Sequence, residues 1–339
     1  MIRTICLLSV ACVVVLASSV RSSAKDSPPS APDAALIPFL NDQTIGVLSV
    51  DLTSDSSTKA LRGVLGTPGF FGHPQFRQAM LQVLTIIAPD DDGARGEVKS
   101  TPVDEVKTIY LVAVWSNLLR LFTEKYDHDA FEDDRGSHQG RDLCRSWFLI
   151  VPGAKRVTID ELRLALPDPA GIHTGDVWAC REINTCTVIA QQQLLDTVEH
   201  ARPIPRPEIT EALAVVKHHP LRMIAAAPPF FARAAGEILR SPAFGTDRPL
   251  GDFVAPIRWV AVAADLTKGH ESMEVMLRTA DPQQAHDVAE FGRLVLPAAQ
   301  NWLAEAKALG SDIELPDFEF PAPTVDRDRV RWAAMQTHP

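Results

Sequence analysis

An alternating apolar pattern near the end of the chain constrains its fold more than any other stretch. Residues 257–265 are almost wholly apolar, and after a polar loop residues 272–279 place Met273, Val275 and Leu277 on one side and polar side chains on the other. Alternation with a period of two is typical of β-strands. The pattern predicts an antiparallel hairpin with one face buried and the other face nearer water.

A helix signal follows this hairpin directly. Asp281 suits the N-cap, Pro282 suits the first helical position, and Gln284 completes the sequence of a capping box. The pattern predicts a helix over 282–308 with a kink at Pro297. Its apolar residues recur three or four positions apart and are expected to cover the apolar face of the hairpin. These residues are Val288, Phe291, Val295, Ala298, Trp302 and Ala306.

The rest of the chain also alternates between apolar strands and helices. Prolines in alternate positions make residues 202–208 the predicted linker, because they exclude both a helix and a central strand. This linker separates a first unit, 36–201, from a second unit, 209–339, and an acidic loop over 116–145 is inserted in the first. The predicted strands outside the hairpin are 44–52, 107–115, 147–151, 177–190, 221–226 and 330–335.

The order of the predicted elements is the same in both units: strand, helix, strand, strand, helix, strand. This is the order of the ferredoxin-like unit. The predicted fold class is therefore α+β, with antiparallel sheets covered by helices, as a tandem duplication of a ferredoxin-like βαββαβ unit. A chain of 339 residues has room for about two such domains.

The first residues have the pattern of a secretory signal peptide. Arg3 gives a positive start, residues 5–17 are apolar, and Ser22-Ser23-Ala24 fits the small-residue cleavage rule. The apolar run is shorter than the about 20 residues needed to cross a bilayer. We therefore expect cleavage of residues 1–24, a flexible tether over 25–35, and export to the periplasm or the extracellular space. After cleavage the protein is not expected to be an integral membrane protein.

Three cysteines remain beyond the leader: Cys144, Cys180 and Cys186. An oxidising compartment permits one disulfide among them. Cys180 and Cys186 are the candidate pair, provided that residues 182–184 form a turn, since a straight strand would hold them about 20 Å apart. The alternative is three buried, reduced cysteines that act as small apolar residues.

Composition and motifs exclude several function classes. The formal charge of −10 and the lack of any run of basic residues exclude nucleic acid as a partner. The Gly-x-Ser-x-Gly, Gly-x-Gly-x-x-Gly, Gly-x-x-x-x-Gly-Lys and His-Glu-x-x-His motifs are absent. These absences argue against the common hydrolases and nucleotide enzymes, and no cofactor is predicted.

One segment has the residue types of a metal site. Asp127, His128, Asp129 and His138 lie within a dozen residues, and hard cations take oxygen ligands. The spacing departs from the calcium-loop pattern, because Phe131 stands where a third ligand is required. The alternative is a solvated loop without a metal.

Two stretches carry a family resemblance: Ile-Pro-Phe-Leu-Asn-Asp-Gln-Thr-Ile-Gly-Val-Leu-Ser-Val-Asp-Leu over 37–52, and Arg-Trp-Val-Ala-Val-Ala-Ala-Asp-Leu over 258–266. With the leader and the proline-rich tether, they resemble the large, uncharacterised exported proteins of planctomycete-type bacteria. The resemblance implies an extracytoplasmic bacterial protein and carries over no catalytic residue.

The leading functional hypothesis is a non-catalytic binding or interaction module, because the core and cap signals are well specified while no catalytic set is visible. The first alternative is a metal-assisted hydrolase that uses the loop 127–138. The second is an assembly component that pairs with a protein partner, or with itself, through exposed sheet edges.

Overall fold

The computed structural model describes residues 31–66, 81, 84, 107–114, 147–153, 178–226, 228, 248–265, 267, 272–293 and 321–335. The chain divides at Pro205 and Arg206 into two compact units. We call residues 31–205 the N-terminal unit and residues 206–339 the C-terminal unit. The predicted signal peptide and the loop 116–145 lie outside the described residues.

The N-terminal unit is built on an antiparallel sheet in which β5 separates β4 from β3. The strand order is β4-β5-β3-β2-β1, and every pair is antiparallel. Its described elements are α1 (Ala31–Ala34), a 3-10 turn (Ile37–Phe39), β1 (Thr44–Asp51), α2 (Asp55–Gly66), β2 (Thr108–Val114), β3 (Trp147–Pro152), β4 (Trp178–Ile183), β5 (Cys186–Gln191) and α3 (Gln192–His200).

The flexible tether expected over 25–35 is wrong for its last residues, which fold onto this sheet. The Tyr110 hydroxyl, which is fully buried, donates a hydrogen bond of 3.2 Å to the Asp33 carboxylate. Leu36, three residues after Asp33, is also fully buried. A buried hydroxyl requires a partner, so Asp33 holds the start of the described chain against β2.

The C-terminal unit has the order β6-β7-β8-β10-β9, again with antiparallel pairs throughout. The predicted hairpin over 257–279 is confirmed, with Val260 opposite Leu277 and Asp265 opposite Ser272. The described elements are α4 (Pro207–Val215), β6 (Leu221–Ala225), α5 (Leu250–Val254), β7 (Ile257–Asp265), β8 (Ser272–Thr279), α6 (282–293), β9 (Thr324–Asp326) and β10 (Arg329–Met335).

The helix predicted after the hairpin is confirmed over 282–293, while 294–308 and the kink at Pro297 lie outside the described residues. The Asp281 carboxylate accepts a hydrogen bond of 2.9 Å from the Gln284 backbone N–H, as an N-cap does. The other half of the capping box does not form, because the buried Gln284 Oε1 has no hydrogen-bond partner in the described part of the chain. Val288 packs in a cluster with residues of β7, β8 and β10.

The ferredoxin-like topology is not confirmed. A split βαβ arrangement inserts another strand between the first and second strands of the unit, whereas β1 pairs directly with β2 and β6 pairs directly with β7. The coarser prediction, α+β with antiparallel sheets, matches the structure. The two units do share one strand order, since the fifth strand of each lies between its third and its fourth.

The single strand predicted at 177–190 is wrong, because it is two strands joined by a turn at Asn184 and Thr185. Both turn residues have positive φ, 50° and 65°, as a two-residue type I′ hairpin requires. Asparagine tolerates this conformation, but a β-branched threonine is strained there. The strain identifies Thr185 as the weak point of this hairpin.

Thr185→Gly is therefore expected to stabilise the N-terminal unit by about 1 kcal/mol, because glycine adopts the left-handed conformation without a Cβ clash. The free energy of unfolding measured with urea checks this. Thr187→Gly, a matched change inside β5, should destabilise instead. A loss of stability in the Thr185 variant would contradict the turn geometry.

Candidate functional site

The C-terminal sheet is covered on both faces. On one face α6 contributes Ala285, Val288 and Ala289 to the apolar cluster. On the other face α4 packs against β6 and β7. The prediction that this second face lies nearer water is wrong for Glu274, which is only 4% exposed. A carboxylate buried to this degree requires charged or polar partners.

Two groups of charged side chains lie at the margin of α4, and the second contains Glu274. In the first group, Glu211 of α4 accepts hydrogen bonds from Arg278 Nη1 at 2.5 Å and from Arg329 Nη2 at 3.0 Å. Arg278 also donates from Nε to Asp328 Oδ2 at 2.7 Å. One glutamate on the helix thus joins arginines of β8 and β10, and these charge-assisted bonds hold α4 on the sheet.

The second group surrounds Glu274. Its Oε1 forms an ion pair with Arg331 Nε, and its Oε2 lies 3.4 Å from His219 Nε2. The structure thus places the His219 ring beside the Glu274 carboxylate. The only sequence signal for this group was a charged residue inside the apolar run of β8.

The first group predicts that the stability of the fold depends on pH. Burial by itself would raise the pKa of Asp328, but the hydrogen bond and charge of Arg278, aided by Arg329, outweigh it and hold that pKa below its ordinary value. A depressed carboxyl pKa stabilises the fold above the unfolded-state pKa of about 3.9, and this stabilisation is lost as the pH falls through the folded-state pKa.

Asp328→Asn is therefore expected to be less stable than the wild type at neutral pH and to approach it in acid. Because Asp328 is partly exposed, we expect a difference of about 1 kcal/mol at neutral pH. Urea unfolding at a series of pH values measures it. A difference that stays constant from neutral to acid pH would argue against the ion pair.

A different kind of site lies in the N-terminal unit, at the edge of its sheet. β4 is the end strand, and within the described residues it pairs with β5 alone. Ile183 and Cys186 flank the two-residue turn and exchange both hydrogen bonds of a narrow pair. Pairs alternate along an antiparallel ladder, so Arg181 and Ala179 also bond to β5.

The intervening residues of β4 have the opposite orientation. The backbone N–H and C=O groups of Trp178, Cys180 and Glu182 point away from β5, as the alternation requires. Arg181 is held by α3, through an ion pair of 3.1 Å to Asp196 and another to Glu199. Among the described residues, this end of the sheet thus carries an arginine that α3 holds in place.

The predicted disulfide is not formed, since no S–S bond joins Cys180 to Cys186. Cys180 lies opposite Ile189, three residues from Cys186, so the two side chains point to opposite faces of the sheet. The turn that the pairing required does exist, but it lies at residues 184–185. Burial raises the pKa of both thiols.

The metal candidates Asp127, His128, Asp129 and His138 lie outside the described residues. In the part of the chain that the structure describes, no three side chains of the metal-binding types converge. None of the described helices is both long and apolar enough to cross a membrane.

Two cavities of the N-terminal unit are too small for a ligand other than water. One has a volume of about 20 Å³ and the other about 10 Å³, while a single water needs about 10–15 Å³ by the same measure. The larger cavity has an apolar lining of Leu48, Val50, Leu61, Leu84, Ile109, Leu111 and Leu149.

Comparison with known proteins gives no family. No family model and no curated protein matches the chain. Crystal form I of the treponemal protein TP0453 has a TM-score of 0.38 and 8% identity, over 91% of this chain and 92% of that chain. Crystal form IV has a TM-score of 0.36 and 8% identity, over 88% and 90%. Likeness at this level assigns neither a family nor an activity.

Proposed function

We propose that this protein is an exported, non-catalytic interaction module that associates with protein chains through the edge of its antiparallel sheet. The observation that carries the proposal is the position of β4 at the end of its sheet, where it pairs with β5 alone among the described strands. Addition of a strand to the end of a sheet is a recurring mode of protein recognition.

The charged groups of the C-terminal unit support a structural role for its polar residues. Glu211 and Glu274 are each paired with arginine, and Glu211 joins α4 to two strands. Charge-assisted bonds of this kind tie the helix to the sheet.

The location remains part of the proposal. The leader over 1–24 and the resemblance to exported planctomycete-type proteins both favour a position outside the cytoplasm. The common strand order of the two units supports a second proposal, that the protein is a tandem duplication of one five-stranded unit.

Metal analysis separates the proposed module from the metal-assisted hydrolase. The purified chain is expected to hold no stoichiometric cation, and Asp129→Ala is expected to leave its metal content unchanged. A stoichiometric cation that is lost in Asp129→Ala would overturn the non-catalytic proposal and favour chemistry at the loop 127–138. Glu290→Ala, which removes an exposed carboxylate of α6, is the matched control.

A further inference from the structure

We draw no further inference here: the strongest candidate, the exposed apolar surface patch of Ile37 and Ile204 where the 3-10 turn meets the proline-rich stretch after α3, carries no proposal because nothing in the described part of the chain shows what covers it.

Discussion

Glu274→Gln is expected to lower the free energy of unfolding by about 3 kcal/mol, among the largest effects of any single change in the C-terminal unit. Glu274 is 4% exposed and forms an ion pair with Arg331, and its other oxygen faces His219. The change replaces a buried carboxylate with a neutral amide and so removes the charge that Arg331 and His219 face. Urea unfolding of the wild type and the variant measures the difference.

A matched control separates burial from charge. Glu290→Gln removes a carboxylate that pairs with Arg293 on the exposed surface of α6, so it is expected to change stability by less than about 0.5 kcal/mol. Arg331→Met combined with Glu274→Gln should cost less than the sum of the two single changes, because each single change already breaks the ion pair. Additive effects would show that the two side chains do not interact.

The hairpin β7–β8 and the start of α6 were predictable because their signals are local. Alternation over 272–279 fixes which side chains share a face, and Asp281 followed by Pro282 marks a helix start in any context. The hairpin β4–β5 was missed because Asn184-Thr185 lacks the glycine that usually marks a two-residue turn. With no glycine, residues 177–190 were interpreted as one continuous strand.

The candidate edge and the charged groups were harder to predict from the sequence, because they depend on contacts between segments that lie far apart in it. Alternation shows that the side chains of Glu274 and Val275 point to opposite faces of the sheet. It does not show that α4 covers the face on which Glu274 lies. The general expectation of an exposed sheet edge was available from the sequence. Its position at β4 was not, because which strand ends a sheet follows from the pairing of all of them.

Gly292→Ala is expected to destabilise the C-terminal unit by about 2 kcal/mol, the usual scale for a methyl group forced into a packed core. A Cβ atom at Gly292 would lie 2.4 Å from Cζ2 of Trp332, whose ring is 7% exposed. The neighbouring Phe291 is also fixed, since it stacks on Phe253 at 4.5 Å between centroids. A methyl group at this position therefore requires either α6 or the indole ring to shift.

Helix propensity acts in the opposite direction, which makes the sign of the result informative. Alanine favours a helix over glycine by about 1 kcal/mol, so a stabilised variant would show that α6 does not approach β10 this closely. Trp332→Phe removes the ring atoms nearest to Gly292 and provides the rescue. In this background Gly292→Ala is expected to be neutral or stabilising, giving a coupling of at least about 1 kcal/mol between the two positions. Without such coupling, the cost at Gly292 would have to arise within the helix, and the close packing of α6 on Trp332 would lose its support.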